Sequence, residues 1–301
     1  MHYINNIPDY EHATGEFPYN MTNNYMFVAV LQEDLFALKG LVAALLHRNP
    51  DEITNLVILN PIQLGVDINL KEYILDISLT FSDNSIMNIE MQVKNLYNWI
   101  QRSISYLCRE WDRLKKGDDY NKAPTAYQIG FLDYTLFPDH PEFYATYRLK
   151  NIKDGHEYTS KFNLSVIELN HIDMATEEDR KYGVDKWAKL FKSTTWEEVK
   201  ALTEHDKYIQ SAARSMFKKE LDEGTLRLCR RLQEEIDADE HRRQRLIELE
   251  AENAEQTTTI SNQAATINDQ AATINNLTST VDDQAKVIEQ LKKELAILKE
   301  Q

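Results

Sequence analysis

The sequence predicts a mixed α/β domain that carries a long helical tail. Three observations predict it: two adjacent runs that alternate apolar and polar residues, helical runs on either side of them, and a seven-residue repeat near the C-terminus. The alternating runs lie in Tyr73 to Gln92 and read as a β-hairpin. On the first arm Ile77, Leu79 and Phe81 point one way, and Asp76, Ser78 and Thr80 the other. On the second arm Met87, Ile89, Met91 and Val93 oppose Asn88, Glu90 and Gln92.

The turn is Ser82-Asp83-Asn84-Ser85. A two-residue loop at Asp83-Asn84 would set Ile77 opposite Glu90 and mix the faces. An odd residue count, or a bulge, sets Ile77 opposite Met91 and Leu79 opposite Ile89. That register is the expected one, because it buries the apolar residues together and gathers Asp76, Glu90 and Gln92. Two carboxylates and an amide on one face can hold a hard cation. The plain alternative is a polar strand face that meets solvent.

The other elements follow in chain order. Residues 1–20 read as irregular, with Pro8, Gly15 and Pro18. Asn24 to His47 reads as two amphipathic helices, opened by Thr22 as a cap. Asn60-Pro61 leads into a first strand or edge at Ile62-Gln63-Leu64. Beyond the hairpin, Asn95 to Lys116 reads as a long helix that Gly117 ends, with Leu96, Trp99, Ser103, Tyr106, Leu107 and Leu114 at helical spacing. Ala126 to Leu132, Phe143 to Leu149 and Leu164 to Leu169 read as strands. Residues 176–220 read as helical, packed by Trp187, Leu190, Phe191 and Trp196.

Composition bounds the function. A chain of 301 residues has room for one core domain and an accessory region, and 42% hydrophobic content supports a core. Two cysteines, Cys108 and Cys229, imply no disulfide framework and suit a reduced cytoplasm. The first twenty residues lack a secretory pattern, so no leader is expected. The apolar run Leu41 to Leu46 is too short to span a bilayer, so no membrane partner is expected. His47, His140, His156, His171 and His205 show no zinc-ligand spacing. There is no glycine-rich phosphate loop and no Gly-x-Ser-x-Gly.

Asp76 with Glu90-x-Gln92 resembles the catalytic core of the PD-(D/E)XK nucleases, and more narrowly the Rpn-type branch of recombination-promoting nucleases and transposases. Further stretches carry the likeness: Met21 to Phe27, Leu41 to Leu46, Asn60-Pro61, Leu75-Asp76-Ile77 and Asn88-Ile89-Glu90-Met91-Gln92. Arg102-x-x-x-Tyr106, Gly117-Asp118-Asp119-Tyr120 and Ala126-Tyr127-Gln128-Ile129 complete the series, which spans roughly residues 17–220. The resemblance implies a restriction-endonuclease-like αβββαβ core, which the order of elements matches. The superfamily usually has Lys where this chain has Gln92, although Gln is common in the Rpn-like branch. That branch also often shows Asp and Lys near Asn24 and Val28, where this chain has neither.

On this reading the chain is a Mg²⁺-dependent DNA endonuclease, with Mn²⁺ or Ca²⁺ as alternatives, and its role lies in mobile-element or defence biology. Phosphodiester hydrolysis needs a cation to neutralise the phosphate and to acidify a water. Asp76, Glu90 and the Met91 carbonyl are the expected metal ligands. Gln92 would orient the attacking water, and Lys94, placed on the same strand face, would supply charge that Gln92 lacks. Arg102 and Tyr106 share a helix face and would hold a phosphate; the plain alternative pairs Arg102 with a core acid. Lys115, Lys116 and Lys122 are lesser candidates for backbone contact. The net charge of −15 argues against broad, non-specific DNA binding.

The tail is expected to form a coiled coil. No glycine follows Gly224 and no proline follows Pro141. One heptad set runs Leu246, Asn253, Ile260, Ile267, Ile274, Val281, Ile288, Leu295. Its companion runs Leu249, Gln256, Gln263, Gln270, Leu277, Gln284, Leu291, Leu298. β-Branched residues in one set and Leu in the other favour a parallel dimer through residues 246–298, with a trimer left open by the glutamines. Such a coil is about 80 Å long at ~1.5 Å per residue. The near-identical heptads from Asn262 and Asp269 look like a duplication. The expected division is a core at 1–175, a helical extension at 176–224 and an oligomerisation tail at 225–301. The competing functions are an inactive nuclease fold that binds nucleic acid, and a coiled-coil scaffold whose head binds protein.

Overall fold

The computed structural model describes residues 9–59, 76–112, 114 and 116–299, with side chains to residue 296. Helices α1 (Asn24–Glu33) and α2 (Leu35–Leu45) precede strands β1 (Val57–Ile58), β2 (Asp76–Thr80) and β3 (Ile86–Gln92). Helix α3 (Trp99–Trp111) then leads to β4 (Ala126–Leu132), β5 (Tyr144–Arg148) and β6 (Phe162–Glu168). Helices α4 (Glu177–Tyr182), α5 (Val184–Lys192), α6 (Trp196–Thr203), α7 (Lys207–Glu220) and α8 (Glu223–Lys299) complete the chain.

The strands form one sheet in the order β1-β2-β3-β4-β6-β5. β2 and β3 are an antiparallel hairpin, β4 runs parallel to β3 and to β6, and the edge strands β1 and β5 are antiparallel to their neighbours. A parallel step needs a crossover, and α3 supplies it between β3 and β4. The expected order of helix, three strands, helix and strand is therefore present, and β5 and β6 widen the sheet beyond it.

One sheet face is the core. Ile77, Leu79, Met87, Ile89, Met91, Ile129 and Phe131 are each 1% exposed or less. Against them pack α1 and α5: Phe27 lies 6.2 Å from Phe131, and Phe191 closes edge-on to both rings. Each such side chain contributes about 1.5–3 kcal/mol on burial. Helices α2 and α7 cross at Gly40, where a Cβ would stand 2.3 Å from that of Tyr208, so only glycine permits the approach.

Several local expectations are corrected. The cap of α1 is Asn23, whose side chain accepts from the Tyr25 and Met26 amides, while the Thr22 hydroxyl bonds Asn20 instead. Helices α1 and α2 are not amphipathic: α1 lies between the sheet and α7, with Tyr25 to Leu31 buried without a break, and α2 is packed by α4, α5 and α7. Helix α3 is shorter than expected at both ends and stops at Asp112, well before Gly117. The expected strand at Ile62-Gln63-Leu64, with Asn60-Pro61, lies outside the described residues, and β1 precedes it at Val57–Ile58.

The chain forms two compact units, Met1–Ile236 and Asp237–Gln301. Within the first, the opening turns of α8 bury Leu228, Cys229 and Leu232 in the same core as α1. Within the second, α8 continues as one helix, and every side chain described from Gln244 onward is exposed. No helix among the described residues is long and apolar enough to cross a membrane.

Candidate metal and catalytic centre

The other face of β2 and β3 is polar, and it is buried as well. Asp76 stands directly opposite Glu90, and Ser78 opposite Asn88. Opposed residues of an antiparallel pair share a face, with Cβ atoms about 4.5–5.5 Å apart, so the two carboxylates converge. Gln92 follows Glu90 on the same side by the two-residue period. Asp76, Glu90 and Gln92 are only 8%, 3% and 7% exposed, so this is not a solvated strand face.

The turn explains the pairing. The loop between Thr80 and Ile86 has an odd residue count, with Asn84 at φ 61 and Asp83 Oδ1 accepting from the Ser85 amide and hydroxyl. The expected partners are corrected: Ile77 faces Ile89, not Met91, and Leu79 faces Met87, not Ile89. The slip is two residues, so parity holds and no side chain changes face.

Helix α3 covers this polar face. Trp99 lies on Gly130, where a Cβ would fall 2.1 Å from the indole, so glycine sets how closely α3 can approach β4. One turn further on, Arg102 Nη2 donates to Glu90 Oε1 at 2.6 Å. The next turn places Tyr106 under the Arg102 guanidinium at 5.2 Å, with Arg109 over the same ring at 5.5 Å. Arg102 and Tyr106 do share a face, and in this arrangement Arg102 is paired with a buried acid.

Burial dominates the electrostatics. Desolvation pushes the Asp76 carboxyl up to about 6, against an Asn88 hydrogen bond that favours its ionised form. Desolvation pushes Glu90 up to about 7; Arg102 opposes this and the Asp76 charge adds to it. Tyr106 and Tyr134 are raised too, chiefly by burial.

Hydrogen bonds orient the acceptors. Gln92 Nε2 donates to the Lys94 carbonyl at 3.1 Å. Only the amide nitrogen can do this, so Oε1 is the end left over. Gln92 Oε1 and Glu90 Oε2 are buried and have no hydrogen-bond partner. The Gln92 carbonyl accepts from Asp133 on the β4 side. Strand alternation therefore turns the Met91 carbonyl toward β2, the side of Asp76. Lys94 is corrected: β3 ends at Gln92, and Lys94 lines a cavity of about 280 Å³ with Thr22 and Asn23 rather than continuing the strand face.

The donor set is all oxygen: two carboxylates, an amide and a backbone carbonyl. It fits a hard divalent cation such as Mg²⁺, and the unpartnered Glu90 Oε2 and Gln92 Oε1 are the atoms such an ion or its waters would satisfy. No cluster of three or more His, Cys, Asp or Glu occurs among the described residues, so water and amide oxygens would fill the remaining positions.

Sequence reasoning missed four side chains here. Asn88 hydrogen-bonds Asp76 and donates Nδ2 to Gln128 Oε1 at 3.1 Å; Trp99 roofs the site; the buried Tyr134 hydroxyl lies within the field of Glu90. Asn88 was visible as the residue one period before Glu90. The other three arrive through β4 and α3, and no local pattern marks them. Residues 23–244 match the family model described as PD-(D/E)XK nuclease family transposase. No curated protein and no solved structure matches the chain.

Proposed function

The chain belongs to the PD-(D/E)XK nuclease family transposases, and on that footing we propose that it is a divalent-metal-dependent DNA endonuclease serving recombination, transposition or phage defence. The observation that carries this is the pair Asp76 and Glu90, opposed on one buried face with Gln92 beside them. Asp76, Glu90 and the Met91 carbonyl would hold Mg²⁺, or Mn²⁺ or Ca²⁺ in its place. The bound ion would supply charge neutralisation at the scissile phosphate and an acidified water.

The chain's own residues do the rest. Gln92 Oε1 accepts a hydrogen bond from the attacking water and aims it. Being neutral, the amide gives less stabilisation to developing negative charge than Lys would. Arg102 keeps donors beyond the one given to Glu90, and these suit a phosphate oxygen. Tyr106, stacked on the guanidinium, limits its swing. A net charge of −15 argues against broad DNA binding, so contact would be limited to a few cations such as Arg102 and Arg109 of α3.

The tail assembles copies of the chain. Ile260, Ile267 and Ile274 are 64%, 62% and 62% exposed on the lone helix, a stripe that a parallel coiled coil through residues 246–298 would bury. With Ile267→Asp and Ile274→Asp together, light scattering should show a single chain. An unchanged oligomer would remove the coil from the assembly. The two thiols, Cys108 exposed and Cys229 buried, suit a reducing cytoplasm.

A second reading has its own support. Arg102 already satisfies one Glu90 oxygen, and Gln92 stands where Lys is usual, which favours an inactive nuclease fold acting as a DNA-binding or protein-binding scaffold. Nicking of supercoiled plasmid in Mg²⁺ or Mn²⁺ separates the two. Cleavage by wild type that Asp76→Asn abolishes supports the enzyme; no cleavage by either protein in any metal supports the scaffold.

A further inference from the structure

On the opposite face of the sheet from Asp76 and Glu90, a cavity of about 540 Å³ opens between β4, β5, β6 and the ends of α2 and α4. Strand register lays out its floor. Arg148, Asn163 and Tyr127 form one cross-strand row, and Thr146, Ser165 and Ile129 the next. Tyr144 begins a third row, at the far end. Rows two residues apart are separated by about 6.5 Å, so the floor is about 13 Å long.

The two ends differ in charge. At the Arg148 row, Arg148 is committed: Nε donates to Asn163 at 2.8 Å and Nη1 to Glu157 at 3.0 Å. Arg48 and Lys150 line the same cavity and have no ion pair among the described residues. The Arg48 charge reaches Tyr127 and the Asp83 carboxylate, which accepts hydrogen bonds from Ser85 and keeps its negative charge. Against Arg48, Arg148 and Lys150 stand Glu157 and, within reach of Arg48, Asp83, so one positive charge is left over at this end, in a chain whose net charge is −15.

At the Tyr144 end one acid is held in place and the other is exposed: Glu178 lies 3.9 Å from His47 Nδ1. Asp179 Oδ2 is taken by the Thr176 amide and hydroxyl, while Oδ1 lies 3.3 Å from His47 Nε2. His47 is held between Tyr182, stacked at 5.1 Å, and Tyr144, edge-on at 5.4 Å. It closes the C-terminus of α2: the Arg48 amide bonds Ala43 and the His47 amide bonds Ala44. That motif places its penultimate residue in the left-handed region, usually glycine, yet His47 sits there at φ 49.

We propose that this cavity is a binding site for a small phosphate monoester of about mononucleotide size. The phosphate sits between Arg48, Lys150 and the spare donors of Arg148, and hydroxyl or amine donors at the other end meet the exposed Glu178. A phosphate monoester carries about −1.5 to −2 at neutral pH and offers three acceptor oxygens, one for each of the three cationic side chains at this end. The volume accommodates a nucleoside or sugar body as well as the phosphate. The proposal stands apart from the nuclease reading, because no catalytic candidate lines the cavity.

The test is calorimetric titration of the full chain with inorganic phosphate, AMP, glucose 6-phosphate and adenosine. At least one phosphorylated probe should bind saturably at one site while adenosine does not; which one binds identifies the body that the cavity prefers. In Arg48→Ala with Lys150→Ala the affinity should fall about 10- to 100-fold with an unchanged melting temperature, since charge-assisted hydrogen bonds are lost at the surface without disturbing the core. In Asp76→Asn it should not change, whether or not the protein cuts DNA. The proposal is overturned if no phosphorylated probe binds, if the double variant binds as wild type does, or if Asp76→Asn abolishes binding. It is also overturned if, in an Asp76→Asn background, the double variant loses duplex DNA binding while AMP never bound; the cations would then be a DNA contact.

Discussion

The two faces of the hairpin are buried to nearly the same degree and for opposite reasons. On one, Ile77, Leu79, Met87, Ile89 and Met91 exclude water and stabilise the fold. On the other, Asp76, Asn88, Glu90 and Gln92 are almost as inaccessible, yet two of them are acids that burial drives toward neutrality. Apolar burial lowers the free energy of folding; burial of carboxylates raises it unless something positive compensates. Arg102 compensates Glu90 in part. The difference teaches that a fully buried strand can carry an apolar core and a buried polar surface back to back.

The largest effects should come from exchanging the behaviour of the two faces. Phe131→Ala on the apolar side should cost about 3–5 kcal/mol of stability in denaturant melts. Asp76→Ala should leave stability near wild type and lower plasmid nicking by about a hundredfold or more, since a metal ligand supports several kcal/mol of transition-state stabilisation. If Asp76→Ala unfolded the protein instead, the polar face would be structural and the comparison would break.

pH gives the next largest effect. Asp76 and Glu90 are raised above their unfolded values, so each favours the fold at low pH and loses that contribution as pH rises through the folded value. Asp76→Asn should therefore gain on wild type between about pH 4 and 6, by on the order of 2 kcal/mol, and level off above. Because cation binding needs both carboxylates ionised, Mg²⁺ affinity measured by titration should tighten from pH 5.5 to 7.5. A flat affinity over that range would mean that another group holds the ion.

Smaller effects come from the elements that position the faces. Gly130→Ala should push Trp99 and α3 off the sheet, costing about 1–3 kcal/mol and lowering nicking in the same variant. Loss of stability with unchanged nicking would show that α3 does not set the site. Asn84→Gly should relieve the left-handed turn residue and stabilise the hairpin by up to about 1 kcal/mol in thermal melts, with activity unaltered.

Much of this was legible in the residues themselves. The parity of the hairpin, and so the shared face of Asp76 and Glu90, was fixed by alternation that any reader can count. The strand Ala126–Leu132 and the heptad stripe from Leu246 were equally plain. The register was missed by two residues, because both choices bury the same apolar set and only the left-handed Asn84 turn distinguishes them. Lys94 was misplaced because nothing local marks Gln92 as the last paired residue of β3.

What the sequence determined by itself is which residues share a face, because side-chain direction follows a period of two in strands and about three and a half in coils, and both are properties of the local backbone. What only the tertiary structure decided is that the polar face is covered at all. Gln128 reaches Asn88 through parallel pairing of β3 with β4, and Arg102 reaches Glu90 because Trp99 can lie on Gly130. These contacts join residues far apart in the chain, and their burial is a property of the assembled layers, which no single segment encodes.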